Sequence, residues 1–373
     1  MKIIRHIKHI ATLMSLPKNQ RRIIFYSEGK SYWVHLEGIL KEFLNHSNIP
    51  VCYVTSGADD PGLAFQHKNL TNFKIDEGWI RNWFFANVDT DVFVMTMPDL
   101  GKYQVKRSKF PVHYVYVQHS LVSQQMAYRK GAFDHFDTIF CAGPHHKKEI
   151  RAMEEIYHLS PKNILDHGYG RLDAILAKRK HIEVVEHNIP RILVAPSWGE
   201  NGLIETRGEE VVSQLLADNY RVTLRPHPQT TKFSKAKLDA INKKHHHNPN
   251  FVLELDVASQ DSLHNSDLMI SDWSGAALDY AFGLEKPVLF VDVPMKINNP
   301  QYMDIPLIPF EISIREKIGA IVPIKDIPQL DEYIKKIMRT NWVTDLKNLR
   351  EEHVYNVGSS AIVGADALMA LLK

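Results

Sequence analysis

The sequence predicts an α/β protein built from two doubly wound domains, each a parallel sheet with helices on both faces. Three observations carry that prediction. Strand-length apolar runs alternate with helical patterns from end to end. The runs are apolar throughout, as strands buried on both faces require. The alternation breaks once, in the charged and poorly periodic stretch 178–190, which reads as a linker. A chain of 373 residues also exceeds one ordinary core. The organisation read from these features is a basic N-terminal segment 1–22, a domain 23–180 and a domain 190–373.

Each strand has its own signal. In the first domain the apolar runs lie at 23–26, 51–55, 91–97, 112–117 and 138–141. In the second they lie at 191–195, 221–224, 251–255, 267–271 and 287–291. From about Gln329 the tail is helical to the end. Two such domains on one linker imply a cleft between them, and ligands of open α/β sheets sit beyond the carboxyl ends of the strands. The residues just after each strand are therefore the candidates.

Composition removes several classes. Lys+Arg 45 against Asp+Glu 43 gives a net charge of +2, so a charge-dominated nucleic-acid binder is not expected. A hydrophobic fraction of 44% with 24% charged residues is that of a soluble globular chain. Cys52 and Cys141 each sit in an apolar run, which excludes a disulfide framework, fits a reducing cytosol and reads as inert core packing. No apolar stretch approaches the ~20 residues of a membrane span. Segment 1–22 carries Lys2, Arg5, Lys8, Lys18, Arg21 and Arg22 with no acidic residue, and reads poorly as a signal peptide. Ile3, Ile4, Ile7, Ile10, Ala11 and Met14 repeat at helical spacing. Two readings stand: an interfacial helix on anionic lipid, or a first helix packed on its own domain.

The strongest local signal follows the strand at 267–271: Ser271, Asp272, Trp273, Ser274, Gly275, Ala276 and Ala277. Ser274 suits an N-cap, and small residues at a helix start let an anion reach free N–H groups. This is neither a Walker A loop nor GxGxxG, and a plain capped strand–turn–helix is the bland alternative. The second signal is Arg225-Pro226-His227-Pro228, a rigid turn offering a cation and a proton carrier, or simply a surface turn. The third is His119 after the strand at 112–117, which read alone is as well a structural histidine. One histidine per domain suits a general base for a hydroxyl and a stabiliser of departing phosphate charge. Ser197 and Trp198 follow the first strand of the second domain, Trp198 suiting a nucleotide base or the core. Arg171 suits phosphate or a pairing with Asp173, and Ser27-Glu28-Gly29-Lys30 suits the acceptor side. No HExxH, CxxC pair or clustered carboxylates with metal spacing occur, so no metal or cofactor is expected; without GxSxG an α/β-hydrolase is not expected either. His245, His246 and His247 read as a solvated helix surface.

In order and spacing over about 110–295 these motifs resemble the CDP-glycerol glycerophosphotransferase family of teichoic-acid primases and polymerases. The resemblance rests on His119, Phe133-Asp134-His135-Phe136-Asp137, Gly168-Tyr169-Gly170-Arg171-Leu172-Asp173, Ala195-Pro196-Ser197-Trp198, Arg225-Pro226-His227-Pro228, 271–279 and Lys286-Pro287-Val288-Leu289-Phe290. It implies a GT-B-like architecture of two Rossmann-like domains facing a cleft, with a C-terminal helix crossing back. It implies metal-independent transfer of glycerol phosphate from CDP-glycerol to a hydroxyl of a lipid-linked or polysaccharide acceptor, with release of CMP. In that picture His119 is the general base, and His227 faces the donor pyrophosphate. Arg225, Ser271, Asp272, Ser274, Gly275, Ala276, Ser197, Trp198 and Arg171 hold the donor. It further implies a peripheral place on the cytosolic membrane face, with an anionic membrane surface as a partner. The chain departs from the family's usual Trp-His-Gly-Thr at Gln118-His119-Ser120-Leu121, and from Thr-Asp-Tyr-Ser-Ser at 271–275. CDP-ribitol, another CDP-alditol or a nucleotide sugar therefore remain open as donors. The competing readings are a GT-B glycosyltransferase or epimerase using a nucleotide sugar, and a non-catalytic nucleotide-binding partner in surface-polymer assembly.

Overall fold

The computed structural model describes residues 2–103, 105–182, 187–256 and 259–373. Of the sequence readings, positions 183–186 of the linker and the side chains of Lys2, Ile3 and Ile4 lie outside the described residues. Contacts divide the chain into two units. The first is Met1–Ala174 with Gln301–Pro306 and His353–Lys373; the second is Ile175–Pro300 with Leu307–Glu352.

The first unit contains β1 (Ile23–Ser27), β2 (Val51–Thr55), β3 (Leu70–Lys74), β4 (Val92–Met95), β5 (His113–Val117), β6 (Thr138–Cys141) and β7 (Asn163–Asp166). They form one parallel sheet in the order β3-β2-β1-β4-β5-β6-β7. The second unit contains β8 (Arg191–Val194), β9 (Arg221–Leu224), β10 (Phe251–Leu253), β11 (Leu268–Ser271), β12 (Val288–Val291) and β13 (Gly319–Val322). Their order, β10-β9-β8-β11-β12-β13, repeats the first winding and is parallel throughout. In both sheets the chain winds outward in one direction and then in the other. The reversal falls between β1 and β4, and between β8 and β11. This switch point is where doubly wound sheets leave room for a ligand.

The continuous apolar runs become strands buried on both faces. Ile24, Tyr26 and Phe93 join Phe84 and Phe85 on one face of the first sheet. Ile23, Phe25 and Val94 join Leu36, Leu40 and Phe43 on the other, with Leu368 of the last helix. Each large apolar side chain so buried contributes about 1.5–3 kcal/mol. Cys52 and Cys141 are buried free thiols within these strands.

The last helix, Ser360–Leu371, returns to the first unit and packs on the helix Lys30–His46. Glycines let the two backbones approach. A Cβ on Gly364 would stand 3.0 Å from Ile39, and one on Gly38 3.1 Å from Ala361. Asp173 fixes the helix start, accepting from Gly358 N at 2.6 Å, Ser360 N at 3.1 Å and Ser360 Oγ at 2.5 Å. The crossing back is the one the resemblance implies. The division by contacts differs from the sequence boundaries in three ways: it falls at Ala174 rather than within 180–190, and both Gln301–Pro306 and residues 353–373 join the first unit. The reason is physical. The charged linker marks where periodicity stops, whereas the apolar face of the last helix is buried against the first sheet's layer.

Three strands lie outside the apolar runs of the sequence: β3, β7 and β13. All lie at or toward a sheet edge and are only partly buried, so their apolar signal is weak. In the N-terminal helix Lys2–Ser15, Ile10 and Leu13 are buried in the first unit's core while Ile7 is exposed. His9 Nδ1 accepts from Lys74 N at 2.9 Å. That much of the helix is packed on its own domain. No helix among the described residues is long and apolar enough to cross a membrane.

Candidate functional site

In the first unit the functional side chains collect beyond the carboxyl ends of β1, β4 and β5. His119 lies two residues past β5, in a loop clamped from the helix Pro144–Ile156. His145 Nε2 pairs with Leu121 O at 2.8 Å and His146 Nε2 with Val122 O at 2.9 Å, while the buried Glu149 accepts from Gln124 N and Gln125 N. Tyr169 donates its hydroxyl to His119 O at 3.2 Å. Gly168 before it has φ +107, and a Cβ there would lie 2.5 Å from Tyr355 O. The Gly-Tyr-Gly motif thus serves as the brace of the His119 backbone.

The His119 ring is walled by aromatic groups. Nδ1 is 3.0 Å from the Tyr116 hydroxyl and Nε2 is 3.3 Å from the Tyr128 hydroxyl. Tyr32 and His35 meet it edge-on at 5.6 and 6.1 Å. Burial pushes its pKa down to about 4, against a weaker opposing pull from the Thr96 backbone, so the ring is neutral near pH 7. Burial first, then the Arg171 charge, holds His35 well below its ordinary value, so it too is neutral. Arg171 therefore belongs to this cluster, and Asp173 is committed to the last helix. Gln118 is 2% exposed, and neither end of its amide has a partner among the described residues.

Thr96, just past β4, reaches Glu28 in the Ser27-Glu28-Gly29-Lys30 turn that the sequence places on the acceptor side. Its hydroxyl donates to Glu28 Oε2 at 2.9 Å. Burial raises the Glu28 carboxyl to about 7, outweighing the Thr96 hydrogen bond and the Arg81 charge. Glu28 in turn is the first cause of the upward shift of the Tyr32 hydroxyl.

In the second unit the candidates gather at the switch point between β8 and β11, and several form the frame. Asp272, 1% exposed, accepts from Ser197 N at 2.6 Å and Leu203 N at 3.0 Å. Ser271 Oγ donates to Ala195 O at 2.8 Å. The buried Arg225 donates to Ser262 Oγ at 3.1 Å and Ser259 O at 2.9 Å. These three hold strand-end loops together. Ser274 caps the helix Gly275–Leu284, its hydroxyl accepting from Ala276 N at 3.2 Å, and Ser274, Gly275 and Ala276 stay partly exposed. Trp273 is held by Nε1 donating to Val293 O at 3.0 Å, with the Arg315 guanidinium 3.9 Å above its ring.

Around that frame lies an aromatic and cationic face. His227 caps the helix Pro228–Phe233, its Nδ1 accepting from Gln229 N at 3.1 Å. That acceptance places the neutral ring's proton on Nε2, leaving one outward donor. Burial, then the Lys296 charge, lowers its pKa to about 4. Trp198 stacks on His227 and on the exposed Phe233, each at 6.0 Å between centroids. The Lys296 ammonium lies 4.3 Å over Trp198. Burial lowers Lys296 to about 8, opposed by the Asp272 and Glu205 carboxylates. Both Glu205 oxygens are buried without a hydrogen-bond partner among the described residues. Lys296 and Phe233 had no motif to announce them; their signal is proximity to Trp198. No group of three or more His, Cys, Asp or Glu side chains among the described residues is arranged to hold a metal ion.

A family model for CDP-glycerol:poly(glycerophosphate) glycerophosphotransferase matches residues 9–333. A variant of the wall teichoic acid polymerase TagF soaked with CDPG superposes with a TM-score of 0.60 at 14% identity, covering 100% of this chain and 94% of that one. UDP-GlcNAc 2-epimerase of Methanocaldococcus jannaschii, in complex with UDP-GlcNAc and UDP, gives 0.57 at 16% identity over 94% and 98% of the two chains. The Neisseria meningitidis epimerase bound to UDP-GlcNAc gives 0.57 at 12% over 93% and 99%. At such identities the structural likeness speaks for the fold. No curated protein matches the chain. The doubly wound pair of sheets is a GT-B fold, and the chain belongs to the CDP-glycerol:poly(glycerophosphate) glycerophosphotransferase family of transferases.

Proposed function

We propose that the protein moves glycerol phosphate, or a related alditol phosphate, from a CDP-activated donor to a hydroxyl of a lipid-linked or surface-polysaccharide acceptor, releasing CMP. The observation that carries this reading is the second unit's switch point. There the Lys296 ammonium, the outward Nε2–H of His227 and the capped start of Gly275–Leu284 are available to phosphate oxygens. Trp198 offers a flat face for the donor's base or ribose. Ser271, Asp272, Arg225 and Ser197 act through the loops they hold. In this reading the charge on the leaving CMP is met by Lys296 and these dipoles, without a metal. The acceptor is handled by the first unit, where His119 has the neutral form that a base or hydroxyl-orienting group needs. The basic helix Lys2–Ser15, with Ile7 exposed, suits a peripheral place on the inner face of an anionic membrane.

A nucleotide-sugar reading is favoured by one observation, the TM-score of 0.57 to epimerases holding UDP-GlcNAc. A donor screen separates the two. Purified protein is tested with CDP-glycerol, CDP-ribitol, UDP-sugars and CMP-sialic acid for thermal stabilisation and for release of CMP or UDP. Selective stabilisation and CMP release with a CDP-alditol is the expected result. A response confined to a nucleotide sugar overturns the phosphotransferase reading and leaves the fold untouched.

A further inference from the structure

We propose that the second unit carries a second anion site, at the amino-terminal edge of its sheet, where Arg191 and Arg221 together take the phosphate of a small phosphate ester. The site lies away from the donor switch point and does not depend on the transfer reading.

Arg191 opens β8 and Arg221 opens β9, and the two are register partners on neighbouring parallel strands. Side chains alternate along a strand, and Ile192 and Val222, next in each, face the second unit's core. Both arginines therefore leave the sheet on its other face, side by side. The donor candidates stand beyond the opposite, carboxyl ends of these strands. At the rise of an extended chain Arg221 is about 13 Å from Arg225.

The face the arginines share is crossed, between β10 and β11, by a helix of five residues, Asp261–Asn265. So short a crossover leaves a cavity of about 350 Å³ over β8, β9 and β10. Its lining among the described residues includes both arginines, Thr223, Val252, Glu254 and Asn265. That volume is at the lower end of small-molecule sites.

Neither guanidinium has a hydrogen bond or an ion pair among the described residues. Asp267, which accepts from the Arg191 backbone N at 2.8 Å, is taken up by that bond and by His187 Nδ1 at 3.1 Å. Arg225, in the same row beyond β9, is the contrast, since it is spent on Ser262 Oγ and Ser259 O. Like charges directly opposite on adjacent strands destabilise a sheet. A pair kept without a carboxylate, in a cavity, answers to an anion from outside. Two guanidinium forks match the several oxygens of a phosphate better than the two of a carboxylate. The Thr223 hydroxyl lines the same space as a further donor. Glu254 follows β10, level with Arg225, and so lines the far end of the cavity, where it accepts from hydroxyls of the ester's alcohol portion. The exposed Val252 between them meets its carbons.

The test is calorimetric titration of the full chain with glycerol phosphate, with glycerophosphoglycerol as a diester and with succinate as a carboxylate control. Arg191→Gln and Arg221→Gln should each weaken glycerol phosphate binding by about tenfold or more, and Lys296→Met should keep it. Binding lost in Lys296→Met and intact in both arginine variants puts the phosphate at the switch point and overturns the proposal. So does succinate bound as tightly as glycerol phosphate, or no binding of any probe at millimolar concentration. Melting temperature separates a ligand site from a structural role. Relief of the like-charge contact should leave Arg221→Gln at least as stable as wild type; a fall of several degrees makes the arginine structural and overturns the site. A preference for the diester assigns the site to a phosphodiester chain, and binding confined to the monoester assigns it to a free phosphate ester; both uphold it. A chain that binds glycerol phosphate through these arginines yet ignores CDP-glycerol overturns the proposed donor and leaves this site standing.

Discussion

His119 and His227 each stand just past a parallel strand one place from its sheet's switch point, but on opposite flanks of it, His119 after β5 and His227 after β9, and their surroundings differ. Around His119 the neighbours are hydroxyls, a second imidazole and, through Thr96, the Glu28 carboxyl. Around His227 they are Trp198, the Lys296 ammonium and a helix start that consumes Nδ1. Both rings are neutral because both are poorly solvated. What differs is the chemistry of what surrounds them. The first unit walls its histidine with tyrosine hydroxyls, and the second sets its histidine against the Trp198 face and the Lys296 ammonium. In each case the character of a strand-end histidine is set by side chains from other elements.

The sharpest way to break this contrast is to remove the charge beside His227. Lys296→Met should weaken CDP-glycerol binding by about 10–100-fold, the range of a charge-assisted contact of about 1.5–3 kcal/mol. The pH dependence follows from the same residue. Lys296 is lowered to about 8, so it is a cation below that pH and loses its charge above it. Wild-type donor affinity should therefore fall as pH rises through about 8, and Lys296→Arg should hold it. Calorimetric titration with CDP-glycerol between pH 6 and pH 10 reads both. Unchanged affinity in Lys296→Met would place the phosphate elsewhere and dissolve the contrast.

A smaller effect separates the two duties of His227. His227→Ala removes a helix cap worth about 1 kcal/mol as well as the outward donor. His227→Asn keeps an oxygen for Gln229 N. If His227 serves the donor, both variants should lose CDP-glycerol affinity while only the alanine form melts earlier. Restored affinity in the asparagine form would make His227 a cap and nothing more.

What the sequence discloses follows the physics of each signal. Interior strands such as β1, β4 and β11 are apolar on both faces and are legible as runs. Edge strand β3 buries only Phe73 of its five residues and leaves no run to find. The strand-end motifs are legible for the same reason the site is: polar residues directly after apolar runs sit at the ligand-facing edge. Their partners are another matter. Ser271, Asp272 and Arg225 offer the chemistry that phosphate wants, and the fold meets that chemistry internally with Ala195, Ser197, Leu203, Ser259 and Ser262. A linear pattern records which groups seek hydrogen bonds, and only tertiary contact decides whether loop or ligand supplies them. Lys296 is the converse case. It stands in a coil after β12 with no motif around it, and its meaning comes from the Trp198 ring beneath it.

The smallest expected effect probes the first unit's side of the contrast. Tyr116 is buried, and its hydroxyl is 3.0 Å from His119 Nδ1. Tyr116→Phe leaves the ring in the core and deletes that one partner, a loss of about 1 kcal/mol. If the tyrosine wall serves to hold His119 against the acceptor, turnover should fall a few-fold with CDP-glycerol affinity untouched. Tyr128→Phe, which gives up the longer 3.3 Å contact, should cost less. Steady-state CMP release against donor titration reads the split. Should Tyr116→Phe weaken donor binding while sparing turnover, the first unit would be handling phosphate after all, and the division of labour between the two histidines would have to be drawn the other way round.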